Sequence, residues 1–226
     1  RKDNFYSNDT EIEKSFSLLE DKCAPIIRKL IELRDVMKLS KEEYFYLLTF
    51  IAFQRTRTNA YKKGVKEQTQ SFVENIMKPF MINSPEARKS RITQEVADSV
   101  KITWPADHLY SISLSLLSAP LIGDLTPVIL VNKTNNRFLF SDSPIIFYNG
   151  FFKEKRNYGL LGLQSTGLQI FFPLNDDIYL LFFDSEFYDL LSSTNIIEIT
   201  KEDDINSINC LQFLSSDDNI YFSDKK

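Results

Sequence analysis

The chain has 226 residues, 43% of them hydrophobic and 13% aromatic, with 27 Lys and Arg against 31 Asp and Glu for a formal charge of −4. That content describes a folded chain with one substantial core or two small packed lobes, and six Gly and eight Pro exclude a linker-rich or fibrous one. Its longest apolar runs fall short of the roughly 18–20 residues of a membrane span. A soluble, cytoplasmic protein with no membrane partner and no leader segment is therefore expected.

The first half reads as helical. Ile12, Phe16, Leu19, Cys23, Ile26, Ile27, Leu30 and Leu33 recur at three- and four-residue spacing over residues 9–38, with Pro25 expected to kink or break the helix. Ser40 followed by Glu43 is a capping-box signature, so a second helix starts at about residue 41 and is expected to reach Lys63, with Gly64 as its stop. Residues 65–101 continue as polar helix, broken near Pro79 and Pro85. Trp104-Pro105 marks a junction, and Ala106 to Ser118 forms another short helix.

Near Pro120 the period changes. Residues 127–131, 137–140, 168–172 and 177–183 are β-branched and aromatic runs bounded by turn residues, hence strands. Asn132 to Asn136 is the expected hairpin loop between the first two. Ser185 to Leu191 reads as a short helix, 195–199 as a strand and 203–215 as a last helix. The expected fold is α+β in one domain, 1–226. In it a mainly helical half (1–118) packs on a β-rich half (119–226) with a small, mostly antiparallel sheet and C-terminal helices.

Charge is distributed unevenly. Residues 1–101 carry 19 Lys and Arg against 15 Asp and Glu, and residues 102–226 carry 8 against 16. The basic excess is densest at Arg55, Arg57, Lys62, Lys63 and Lys66 and at Arg88, Lys89 and Arg91. Such a face can hold a long anionic polymer, or it is simply a solvated helical surface. Cys23 and Cys210, far apart in sequence, have the pattern of reduced thiols, with a disulfide as the alternative. One His and no CxxC or HxxxH spacing leave no zinc motif. The cofactor is otherwise unknown, and a divalent magnesium held by carboxylates is compatible with the sequence.

The most informative run is Gln54-Arg55-Thr56-Arg57-Thr58, which ends the apolar segment 44–53. A guanidinium beside such a segment needs a carboxylate, a phosphate or several carbonyls, because an unpaired buried charge costs several kcal/mol. On a helical wheel Arg55 shares a stripe with Tyr44, Leu48 and Ile51, and Arg57 shares another with Phe50, Gln54 and Tyr61. The two arginines thus leave in different directions. Ser141-Asp142-Ser143-Pro144 offers a distant carboxylate at a strand end, since Pro144 cannot donate to a ladder and holds Ser143 extended. Asp142 there is a catalytic base, a metal ligand or a cap for loop amides.

Other candidates are weaker. His108 beside Asp107 is a lone histidine at a helix start. Asp176-Asp177 and Asp184 flank a strand as turn acids or as a metal pair. Gly159, Gly162 and Gly167 lack phosphate-loop spacing.

FIAFQRTRT (50–58), FLFSDSPII (138–146), GLQIFFPLNDDIYLLFFD (167–184) and DINSINCLQFLSS (204–216) resemble, in order and spacing, a prokaryotic family known as domain of unknown function 4238. The resemblance runs from about residue 5 to 222. It implies architecture and candidate positions but no reaction, and its occurrence among bacterial accessory genes implies a toxin or phage-defence role. The family pattern has an N-terminal segment with a His and a Val-Pro or Ile-Pro pair, absent here. With Arg1 at the start, a processed or fragmentary N-terminus and an incomplete enzyme are expected. The family's Pro-Leu-Ser-Pro run appears here as Pro173-Leu174-Asn175-Asp176, which removes that serine from consideration.

The functional expectation is an enzyme directed at nucleic acid or nucleotides, with a partner protein encoded nearby. Asp142, Arg57 and Gln54 are its catalytic candidates, and Arg55, Ser141, Ser143, Lys62 and Lys63 bind substrate. The alternative is a non-enzymatic binding or regulatory module in which Arg57 and Asp142 form a buried structural pair.

Overall fold

The computed structural model describes residues 10–85, 89, 93–100, 107–152, 162–190 and 195–223. Helix α1 (Thr10–Leu33) leads through a short 3-10 turn (Val36–Lys38) into α2 (Lys41–Thr56) and α3 (Asn59–Phe72). A π-helical turn (Val73–Met77), α4 (Lys78–Asn83), α5 (Gln94–Ser99) and α6 (Asp107–Ile122) follow. The second half contains β1 (Thr126–Asn132), β2 (Phe140–Ser141), β3 (Ile146–Tyr148), β4 (Gln169–Asn175), β5 (Ile178–Phe183), β6 (Ile196–Ile199), α7 (Glu202–Ser215) and β7 (Ile220–Tyr221). The fold is α+β, as expected.

Five strands form one sheet in the order β3-β4-β5-β1-β6, antiparallel except where β1 and β6 run parallel. Strand alternation splits the core in two. Ile129, Val131, Ile170, Phe172, Leu180 and Phe182 face a layer built by α1, α2 and α6. Val128, Leu130, Phe171, Tyr179, Leu181 and Phe183 face α7 and the Phe138 ring. Strand β5 is buried at all six positions because both faces are covered.

Helix α2 is the centre of the helical layer. Leu47 through Gln54 are all buried, so this stretch of the helix has no solvent face, and each large apolar side chain contributes roughly 1.5–3 kcal/mol by leaving water. The capping box forms as expected: Ser40 Oγ accepts from the Glu43 amide at 3.1 Å, and the Glu43 carboxylate accepts from the Ser40 amide at 2.6 Å. The expected run to Lys63 does not occur. Thr56 donates its hydroxyl to the Phe53 carbonyl, and Thr58 donates to the Arg55 carbonyl while accepting from the Tyr61 amide. Two hydroxyls in three residues give the backbone other partners than the helix ladder. Thr58, extended at φ −73° and ψ 148°, becomes the N-cap of α3, and Gly64 falls inside that helix rather than at its stop.

Other expectations are also corrected. Pro25 lies inside a continuous α1, on its exposed side, while Cys23, Ile26 and Leu30 anchor the helix from the core. Pro79 opens α4 directly after the π-helical turn, so the wider turn and the N-terminal position absorb the proline. The break at Pro85 is real: Ser84 is extended at ψ 149°. Helix α6 runs on through Pro120 to Ile122. Trp104-Pro105 lies outside the described residues.

Asn132–Asn136 is not a hairpin loop, because β1 pairs with β5 and β6. Asn132 instead folds the turn by accepting from the Thr134 amide at 2.8 Å, and β2 pairs with β7. The chain between is redirected by Phe138, which is fully buried against the Tyr179 ring at 4.4 Å. Residues 184–190 form a turn capped by Asp184 instead of the expected helix, with Glu186 and Tyr188 amides bonded back to it. Cys23 is a free core thiol that donates to the Tyr46 carbonyl, and burial pushes its pKa up to about 12. Cys210 is free and exposed on α7. Among the described residues no helix is long and apolar enough to cross a membrane.

Candidate functional site

A groove of ≈ 530 Å³ opens where the helical layer meets the β3 edge. One wall is a helix face: Thr58, Tyr61, Gly64, Val65 and Gln68 of α3, at three- and four-residue spacing. The other wall is one side of an extended segment, Ser143, Ile145 and Phe147, at two-residue spacing. Gly162, Leu163 and Ser215 complete it. The volume falls in the range of ordinary ligand sites. A smaller recess of ≈ 180 Å³ shares Arg55, Tyr61, Phe147 and Leu163 with the groove and extends to Ala52, Thr56, Ser118 and Ile122.

Arg55 stands at the junction of the two spaces. Its guanidinium carbon lies 3.4 Å from the centre of the Phe147 ring and 5.3 Å from that of Tyr61. Among the described residues it forms no ion pair with a carboxylate. Burial lowers its pKa to about 10, against a partial rise from Tyr61, so it remains a cation at neutral pH. Stacking attracts the cation to the ring face but leaves its in-plane N–H fork for another acceptor. The last turn of α2 and the first of α3 fix this position, since the Thr56–Thr58 break lets Tyr61 turn back beside Arg55.

Arg57 behaves differently. Its Nη1 lies 2.7 Å from Glu20 Oε1 of α1, with both side chains about one third exposed, and its guanidinium carbon is 5.8 Å from the Phe53 ring centre. The expected Arg57–Asp142 pair does not form. The Asp142 carboxylate accepts instead from the backbone amides of Asp217, Asp218 and Asn219 at 3.0, 2.8 and 3.0 Å. Partial burial works to raise its pKa, but these amides and the Asn219 side chain outweigh that and hold it below the usual carboxylate value. Asp142 thereby fastens the α7–β7 turn, a cap on amides 75 to 77 residues away.

Ser141 and Ser143 are buried. The Gln212 side-chain amide, fully buried, donates to Ser141 Oγ and to the Ser143 carbonyl, and its Oε1 lies 3.2 Å from the Tyr179 hydroxyl. Ser215 also donates to the Ser143 carbonyl. This knot positions the β3 wall of the groove against α7. The Tyr179 phenol is pushed up by burial and stays protonated.

The sequence-predicted residues are therefore brought together only in part. Arg55 and Ser143 line the groove. Gln54 is buried in α2 and lines neither space, and Lys62 and Lys63 lie on α3 outside the lining. Asp176 and Asp177 are engaged by Arg137, and Asp184 accepts from the Gly167 amide at 2.8 Å. The His108 side chain, Arg88, Arg91 and Gly159 lie outside the described residues. Tyr61, Gly64, Phe147 and Gln212 were missed. The Tyr61 stripe position beside the arginines was the only available hint, and the pairing of Phe147 with Arg55 is a long-range contact that periodicity does not carry.

The sequence model of the family described as "Protein of unknown function (DUF4238)" matches residues 1–226, and the chain belongs to that family. No curated protein and no solved structure matches the chain.

Proposed function

We propose that this member of the DUF4238 family binds a phosphate-bearing ligand, a nucleotide or nucleic acid, in the groove between α3 and the β3 edge, with Arg55 as anchor. The single observation behind this reading is the Arg55 guanidinium, stacked on Phe147 and opening into two connected spaces without a carboxylate partner among the described residues. A guanidinium fork matches two phosphate oxygens and forms parallel charge-assisted bonds with them. Tyr61, Gln68 and Ser143 supply neutral hydrogen-bonding groups around the same space, while the Thr58 and Ser215 hydroxyls there already donate to backbone carbonyls.

The described lining consists of one cation, hydroxyls, an amide and apolar side chains, an inventory for recognition. An effector role in toxin or phage-defence systems would build on this binding step, as would a regulatory one. Asp142 in this reading belongs to the fold, and Arg55 takes the ligand-binding role expected of Arg57.

Fluorescence anisotropy with labelled single-stranded oligonucleotides and nucleotides tests the proposal. Arg55→Met, which keeps apolar volume under Phe147, is expected to weaken binding by roughly 10–100-fold, the equivalent of about 1.5–3 kcal/mol for a charged hydrogen bond. Equal affinity in the folded variant, or no phosphate-bearing ligand bound by the parent, contradicts it.

A further inference from the structure

Gly64 is a second distinctive residue in the groove. It sits in the interior of α3, where glycine is the poorest helix former after proline. Nothing in the local backbone requires it, since the only glycine with positive φ among the described residues is Gly167. Packing does not require it either: a Cβ at Gly64 would meet no atom within 4 Å. The open space in front of it is the groove itself. A bare stretch of helix backbone facing a cavity is where a ligand can approach most closely.

Resting on the phosphate reading above, we propose that the groove takes an extended single-stranded nucleic acid whose chain, anchored by one phosphate on Arg55, runs along α3 and lies against the backbone at Gly64. The geometry suits a chain more than a single nucleotide. The α3 wall from Thr58 to Gln68 rises roughly 15 Å, which is several times the 3.4 Å stacking repeat of one strand. The opposite wall presents Ile145 and Phe147, apolar surface for bases, in the same groove as the polar Ser143 and Arg55. The recess behind Arg55 gives one unpaired base a place beside Tyr61 and Phe147, which a duplex could not offer.

The test is an affinity series for mono-, di-, tetra- and hexanucleotides and a hexamer duplex, measured on the parent, Gly64→Ala, Gly64→Leu and Arg55→Met. Affinity should rise at least tenfold from mono- to tetranucleotide, and the single strand should bind at least tenfold better than the duplex. Gly64→Leu should abolish the gain in affinity with length, whereas Arg55→Met should weaken every ligand. Gly64→Ala should raise the Tm and still weaken the tetranucleotide, which separates a ligand contact from a folding defect. Length-independent, Arg55-dependent binding overturns the extended-chain proposal while leaving the phosphate reading standing. Full tetranucleotide affinity in Gly64→Leu overturns it as well. Failure of every ligand to bind overturns both.

Discussion

Two polar clusters border the groove, one through Ser143 and Ser215 and the other through Arg55, and they are satisfied in opposite ways. Beneath α7, Gln212, Ser141, Ser143, Tyr179 and Ser215 bond to one another, and Asp142 next to them is saturated by three backbone amides. Beside α3, Arg55 has aromatic faces around it and no carboxylate among the described residues. Buried polar groups that are fully matched hold a fold, whereas one left open toward a cavity at an energetic cost points to a ligand. On the proposed function, the first cluster serves structure and the second serves binding.

The sharpest way to break the contrast is to remove the hub of the satisfied cluster. Gln212→Leu removes one bond each from the Tyr179 hydroxyl, the Ser141 hydroxyl and the Ser143 carbonyl, which keep the Leu139 carbonyl, the Ser143 amide and the Ser215 hydroxyl as partners, at about 0.5–1.5 kcal/mol per bond besides the lost packing of a fully buried side chain. Urea denaturation should show a loss of about 3 kcal/mol or more. A loss below 1 kcal/mol would mean that water or repacking replaces Gln212 easily, and the cluster would lose its structural standing.

Asp142→Asn should cost less, about 1 kcal/mol, by analogy with a cap residue. Because the folded pKa of Asp142 is depressed, its contribution is present above the ordinary carboxylate pKa and is lost as pH falls through the lowered value. The parent and Asp142→Asn stabilities should therefore converge in acid and separate above about pH 4. A difference that does not change with pH contradicts the amide-capping role.

Arg57 and Glu20 provide the small end of the scale. Both are partly exposed, so a double-mutant cycle with Arg57→Met and Glu20→Gln should give a coupling of roughly 0–1 kcal/mol. A coupling of several kcal/mol would make Arg57 the stranded buried charge and weaken the distinction between the two arginines.

Much of the frame was legible because it depends on local pattern. The Ser40–Glu43 box placed the start of α2, and the apolar runs placed β1, β5 and β6. The wheel also separated the two arginines, which do leave toward different neighbours. What escaped was decided by contacts far apart in sequence. Thr56 and Thr58 could be read as ordinary helix residues until their hydroxyls took backbone carbonyls. Phe138 drew its segment out of a hairpin by burying against Tyr179, a gain that no alternation pattern records. Which arginine meets a carboxylate and which an aromatic face was decided in the same way, since Glu20 and Phe147 lie 37 and 92 residues from their partners.

The most direct test measures stability and ligand response in one experiment: thermal unfolding of the parent and of Arg55→Met, each with and without a single-stranded oligonucleotide. The account predicts that Arg55→Met is within about 1 kcal/mol of the parent or more stable, because a desolvated cation is removed along with its stacking. It also predicts that ligand at about 100 times its Kd raises the Tm of the parent by roughly 5–10 °C and leaves the variant unmoved. A variant destabilised by several kcal/mol, together with a parent whose Tm does not respond to the ligand, would show that Arg55 serves the fold and contradict the account.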